Sequence, residues 1–174
     1  MRRTGIGGSL ILAVLMGGFL GGAAWAEPKT TGIAAYVKMR WPGAATLAPD
    51  GTLYFVYDPD GIRQLYKVSS GKTQKDAVKL TTFPDGVGGY SLSDDGKWIA
   101  ITAAIGGSEQ FSLYLMDTAT GKLETLFENP KFVYAGPVWR RDSQAFAYRA
   151  NDESLADFHV SVFDLATRQS KKVF

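Results

Sequence analysis

Hydrolysis by a serine nucleophile needs a specific turn, and two segments of the sequence come near it without matching. A nucleophile elbow places Gly-x-Ser-x-Gly on a sharp strand-to-helix turn. Gly89-Tyr90-Ser91-Leu92-Ser93 ends in serine where the motif needs glycine, and it lies in an expected strand. Ser108 follows two glycines but has Gln110 where the last glycine should stand. We therefore predict no catalytic residue in this chain, which is not expected to hydrolyse peptides alone.

Metal and cofactor chemistry is also poorly supported. His159 is the single histidine, whereas a metal centre needs several converging ligands. Its apolar neighbours predict a packing or surface role in a strand. Asp58-Pro59-Asp60-Gly61 is similar to the start of a calcium loop, but the late glutamate of such a loop is absent because residue 69 is serine. Proline and glycine favour a hairpin turn there. No metal or cofactor site is predicted.

Two carboxylates are candidate contacts for a ligand. Glu109 and Glu153 are expected in equivalent loops of successive repeat units, each between the second and third strands. Loops on a rigid scaffold often carry binding residues. Two such carboxylates can hold the amino terminus of a peptide. The alternative is that both are solvated loop charges.

The first 26 residues predict a secretory signal peptide. Arg2-Arg3 precedes an apolar run over residues 10–20, and Ala24-Trp25-Ala26 supplies the small residues of a cleavage point. A membrane anchor is the alternative, but glycines thin the run and it falls short of the roughly 20 apolar residues of a membrane span. We expect cleavage after Ala26, no stable membrane anchor afterwards, and a secreted or periplasmic protein.

The composition indicates a folded domain without disulfides. The chain is 45% hydrophobic and 21% charged, and it has no cysteine. Arg2 and Arg3 account for the net charge of +2, so the rest of the chain is electrically balanced. Nucleic acid is therefore not an expected partner.

The remainder of the chain repeats one pattern three times, with spacings of 45 and 47 residues between the turn aspartates. The pattern has a polar turn, then an apolar strand that ends in a second polar turn, then a basic and apolar run. The turns are residues 48–51, 93–96 and 140–143; the strands are residues 65–69, 113–117 and 160–164; the runs are residues 78–83, 123–127 and 171–174. Repeats of about this length are typical of solenoids and propellers.

Each repeat predicts four short antiparallel strands. Asp-Gly turns and β-branched or aromatic runs favour hairpins. The expected strands are 89–92, 98–104, 111–116 and 123–127 in the second repeat, and 136–139, 145–149, 158–163 and 169–174 in the third. No long helical periodicity occurs between residues 40 and 174. The predicted fold is all-β, a partial β-propeller of about three four-stranded blades with WD40-like repeat length.

We expect a lead-in at residues 27–41 and blades at about 42–86, 87–133 and 134–174. Closed propellers typically have four to eight blades. Three blades leave two sheet faces uncovered, so we expect the N-terminal portion of a larger propeller. The alternative is that several copies close one ring.

Residues 42–174 resemble the propeller of the prolyl oligopeptidase family of serine peptidases, particularly its dipeptidyl-peptidase and acylaminoacyl-peptidase-like members. The similar segments are residues 92–100, 106–110, 113–117, 138–143 and 157–164. The resemblance implies a C-terminal α/β-hydrolase domain as partner, a serine peptidase activity located there, and a propeller that admits short peptide substrates. None of the family's catalytic triad maps onto this chain. TolB-like periplasmic propellers have similar turns, so a non-enzymatic propeller that binds a partner protein is the alternative.

Overall fold

The computed structural model describes residues 41–174. The predicted signal peptide (1–26) and nearly all of the predicted lead-in (27–41) lie outside the described residues. Within the described range, no helix is long and apolar enough to cross a membrane.

The described chain forms three four-stranded antiparallel sheets, each with its strands in chain order. Sheet 1 contains β1 (Gly43–Leu47), β2 (Leu53–Tyr57), β3 (Gln64–Val68) and β4 (Val78–Lys79), with a short 3₁₀ helix at Gln74–Asp76. Sheet 2 contains β5 (Val87–Leu92), β6 (Trp98–Ala104), β7 (Phe111–Asp117) and β8 (Leu123–Phe127). Sheet 3 contains β9 (Tyr134–Trp139), β10 (Ala145–Ala150), β11 (His159–Asp164) and β12 (Gln169–Lys172). The predicted three-bladed partial propeller is confirmed.

The turn after the first strand repeats in all three sheets, but it is one residue shorter in sheet 1. The Ala48 N–H donates to the Thr52 carbonyl at 2.8 Å. In sheets 2 and 3 the equivalent bonds run one residue further, from Ser93 to Trp98 and from Arg140 to Ala145. The shorter turn contributes to the shorter spacing between the first two turn aspartates.

Alternating side chains bury both faces of sheet 2. Ile99 and Ile101 join a core cluster with Tyr54 and Val56 of sheet 1. Ala100, between them in sequence, joins the cluster that contains the aromatic side chains of sheet 3. The sheets therefore pack face to face, as successive propeller blades do.

The third core cluster lies within sheet 1. Phe55, Tyr66 and Val68 are buried, with Leu53 and Tyr57 packed against them. The Phe55 and Tyr66 rings stack with centroids 5.9 Å apart. These side chains are buried, although a three-bladed arc is expected to leave this outer face of sheet 1 uncovered. On sheet 3, Val138 is 65% exposed, as that prediction expects.

The fourth strand of sheet 1 is shorter than the predicted run over 78–83. The Leu65 N–H donates to the Thr81 hydroxyl at 2.9 Å, so a side chain replaces the strand ladder at this point. The Thr81 hydroxyl donates in turn to the amide oxygen of buried Gln64 at 2.7 Å. This polar pair directs the chain out of the sheet and towards β5.

Candidate functional site

The antiparallel strands place two kinds of connection at opposite ends of the sheets. The hairpin end contains the turns after each first and third strand. The loop end contains the loops after each second strand, at residues 58–63, 105–110 and 151–158, and the connections between sheets at residues 80–86 and 128–133.

Aspartates at the hairpin end stabilise turns. The Thr52 N–H donates to the Asp50 carboxylate at 2.8 Å, and this hydrogen bond lowers the pKa of Asp50. A bond from the Arg140 guanidinium lowers the pKa of Asp142. Burial opposes ionisation of Asp95, but hydrogen bonds from Ser93 and Lys97 outweigh it and lower the pKa of that carboxyl. These carboxylates have local partners, which favours a structural role.

The hairpin end also joins neighbouring blades. The Asp95 N–H of sheet 2 donates to the buried Ser143 hydroxyl of sheet 3 at 3.0 Å. The Trp139 indole N–H donates to the Ser91 carbonyl at 2.8 Å. The Tyr90 hydroxyl donates to the Tyr54 carbonyl of sheet 1 at 2.8 Å. These polar contacts fix the angle between successive sheets.

A cavity lies at the loop end, between sheets 1 and 2. Its volume is about 580 Å³. One wall is the β2–β3 loop with Ile62 and Arg63, another is the connection that carries Asp85, and the third contains Ser108 and Phe111. We call this space the rim cavity. It combines an exposed cation, a carboxylate and apolar walls.

Close backbone contacts build the floor of the rim cavity. The Val87 N–H donates to the Arg63 carbonyl at 2.7 Å, and Gly86 has φ +83°. A Cβ at Gly86 would lie 2.7 Å from that same carbonyl oxygen, so a side chain is excluded there. The Gly107 N–H donates to an Asp85 carboxylate oxygen at 3.0 Å, which joins the loop of sheet 2 to the connection.

A second cavity, of about 330 Å³, lies between the first strands of sheets 2 and 3. Its lining includes Gly89, Tyr90, Gly136 and Pro137. Phe111 and Gly88 line both cavities, so they form a common wall. A Cβ at Gly88 would overlap the Phe111 ring, which therefore rests directly on the backbone. We call this second space the inner cavity.

The two candidate glutamates lie in the loops expected for them. Glu109 is exposed between β6 and β7, and no ion pair to it occurs among the described residues. Glu153, between β10 and β11, forms an ion pair with Lys172, and this bond lowers the pKa of Glu153. Neither glutamate lines the rim cavity. Their contact with a ligand stays a prediction.

His159 has a side-chain partner, whereas Asp58 is held through its backbone and has one buried carboxylate oxygen without a hydrogen-bond partner among the described residues. His159 is buried at the start of β11, with Nε2 3.1 Å from an Asp152 carboxylate oxygen. Asp58 and Gly61 close a turn through a 3.0 Å backbone bond, as predicted. The sequence analysis did not identify Arg63 and Asp85 as cavity residues. The glycine-rich segment 85–89 indicates close backbone packing at this place.

The family model of the prolyl oligopeptidase N-terminal β-propeller domain matches residues 82–173, more than half of the chain. The chain belongs to the prolyl oligopeptidase family. The matched range contains sheets 2 and 3 and two of the three walls of the rim cavity. No curated protein matches the sequence.

Solved structures show that the propeller fold is shared more widely than the family. A prolyl endopeptidase is 19% identical with a TM-score of 0.61, and the match covers 78% of this chain and 22% of that one. A puromycin-hydrolyzing peptidase from Mycobacterium tuberculosis is 11% identical with a TM-score of 0.62, over 78% and 23% of the two chains. TolB from Acinetobacter baumannii is 18% identical with a TM-score of 0.58, over 76% and 32%. This chain therefore spans a third or less of each of these three proteins.

Proposed function

We propose that this chain is the exported propeller portion of a prolyl-oligopeptidase-like serine peptidase, and that it controls the entry of short peptides to a catalytic α/β-hydrolase domain of the same polypeptide. The family match carries the proposal. The predicted signal peptide supports export, and the absence of a nucleophile elbow in this sequence assigns the chemistry to another domain.

The inner strands support a role in substrate passage. Small residues line the inner cavity, including Gly88, Gly89, Ala135 and Gly136. Small side chains leave room beside the first strands of the blades, where a propeller has its central channel. A segment of extended peptide can pass such a channel, whereas a folded protein cannot.

The free face of sheet 3 supports a longer propeller. Val138 is 65% exposed, and the neighbouring Val162 is half-buried. Large contiguous apolar patches on a soluble protein usually mark an interaction surface. A further blade would cover this face in the same way that sheet 3 covers sheet 2.

The test begins with the native gene product, whose intact mass and N-terminal sequence are measured in an envelope fraction. We expect a polypeptide several times larger than this chain, starting at Glu27 and containing a Gly-x-Ser-x-Gly segment. A product without that segment would refute the peptidase proposal.

Passage through the propeller is then tested with the complete gene product. We expect Ala135→Trp, which fills space beside the inner cavity, to lower kcat/KM for a short chromogenic peptide several-fold. Cleavage of a small ester should change less, because it needs less space. Ala166→Trp, in an exposed turn at the hairpin end, is the matched control. Equal effects of both variants would contradict a gating role.

A TolB-like binding propeller is the second candidate, favoured by the structural similarity to TolB. It predicts a gene product that ends after the propeller blades and lacks peptidase activity. Co-purification of a stable partner protein with such a product would support it.

A further inference from the structure

We propose that the rim cavity is a binding site for a small ligand that carries an α-carboxylate next to an apolar side chain. The proposal goes beyond the gating role. All of the residues that line the rim cavity belong to the described propeller, so binding there does not depend on a hydrolase domain.

The volume of the cavity is that of a ligand site. About 580 Å³ lies within the range of roughly 300–1,000 Å³ typical of small-molecule sites. Three separate segments line this open cavity. The Val87 N–H donates to the Arg63 carbonyl and the Gly107 N–H to the Asp85 carboxylate, which joins those segments. The site is therefore formed before a ligand arrives, which reduces the entropy that binding must overcome.

Arg63 supplies the charge that would select a carboxylate. Its side chain is exposed at the cavity, and no ion pair to it occurs among the described residues. A guanidinium binds a carboxylate through two parallel hydrogen bonds, which gives both strength and orientation. Among the described residues that line this cavity, Arg63 is the single arginine.

The remaining walls determine the rest of the ligand. Ile62 is 45% exposed, and Phe111 and Pro84 add apolar surface that an apolar side chain can cover. The Asp85 carboxylate, which accepts one bond from Gly107, lines the same cavity. It would repel a simple anion but can attract an ammonium group. The chemistry fits a free apolar amino acid or the carboxyl end of a short peptide.

The experiment uses calorimetry with the complete gene product and three probes: phenylalanine, N-acetylphenylalanine and phenylalanine amide. We expect the carboxylate probes to bind and the amide to bind at least ten-fold more weakly. If phenylalanine binds several-fold more tightly than its N-acetyl form, Asp85 contacts the ammonium and a free amino acid is the ligand. Similar affinities indicate the carboxyl end of a peptide.

Two arginine variants give a matched comparison. Arg63→Gln should weaken binding of N-acetylphenylalanine about ten-fold or more. Arg141→Gln removes the same charge from an exposed turn at the hairpin end and should leave the affinity unchanged. Circular dichroism verifies that both variants fold, and Arg63→Lys should retain part of the affinity. Equal binding of amide and carboxylate, an unaffected Arg63→Gln variant, or no binding of any probe at about 10 mM would overturn the proposal.

Discussion

The contact between Asp95 and Ser143 provides a sharp test of how neighbouring blades are joined. Ser143 stands where the other two turns have Gly51 and Gly96. All three residues have positive φ, and that of Ser143 is +59°. A non-glycine residue in this conformation costs roughly 1–2 kcal/mol. The hydroxyl that accepts the Asp95 N–H explains why serine occurs at a position that favours glycine.

Two substitutions separate the hydrogen bond from the backbone strain. Ser143→Ala removes the acceptor but keeps the strained conformation, and the lost hydrogen bond to the exposed Asp95 then costs about 0.5–1.5 kcal/mol. Ser143→Gly also removes the acceptor, but it relieves about 1 kcal/mol of strain. We therefore expect the alanine variant to be less stable than the wild type. The glycine variant should be about 1 kcal/mol more stable than the alanine variant and close to the wild type.

Urea unfolding measures the stabilities, and hydrogen exchange of the Asp95 amide measures the contact directly. Both variants should exchange this amide faster than the wild type. The control is Ser69→Ala, because Ser69 is exposed and no hydrogen bond from its side chain occurs among the described residues; it should stay within about 0.5 kcal/mol. Unchanged exchange of the Asp95 amide in the alanine variant would refute the reasoning, as would an alanine variant more stable than the glycine variant.

Three other substitutions test side-chain packing in the sheets and the ionisation of a buried tyrosine. Phe146 is fully buried between sheets 2 and 3, so Phe146→Ala should lower the free energy of unfolding by about 3–5 kcal/mol in a denaturant titration. Gly88→Ala should cost about 1–3 kcal/mol because the new methyl overlaps the Phe111 ring, and Phe111→Leu should recover part of this loss in the double variant. Burial, with the Asp152 charge, raises the pKa of Tyr134 to about 12, so its contribution to stability is complete below about pH 10 and is lost as the pH rises towards 12. A tyrosinate absorbance titration followed alongside circular dichroism should show this loss, and Tyr134→Phe should abolish that part of it.

The sequence predicted the sheets well because two signals agreed. Asp-Gly turns marked the hairpins, and runs of aromatic and β-branched residues marked the strands between them. The predicted strand at 98–104 coincides with β6 (Trp98–Ala104), and the predicted strand at 123–127 coincides with β8 (Leu123–Phe127). Both signals are local, so they can be read from one repeat without knowledge of the others.

The features that the sequence did not predict depend on contacts between distant segments. The amide of Gln64 can be buried because it donates to the Phe83 carbonyl at 2.6 Å and accepts from the Thr81 hydroxyl. A sequence pattern of apolar and polar residues does not indicate such a buried amide with both partners. The presence of Arg63 and Asp85 in one cavity depends in the same way on how the connection folds back over the loop. The loop that carries Glu109 contributes Ser108 to the rim cavity, but Glu109 itself does not line it.

The interface between sheets 2 and 3 explains why the free face of sheet 3 matters to the proposed function. Sheet 2 presents Ala100, paired across the strands with Leu115, to the aromatic face of sheet 3. Ala147, paired with Val162, is the equivalent position on sheet 3. Small and β-branched side chains leave grooves that larger ones fill when sheets interdigitate. The free face of sheet 3 therefore presents small and β-branched side chains, as sheet 2 does towards sheet 3. A blade with large apolar side chains would pack against this face as sheet 3 packs against sheet 2.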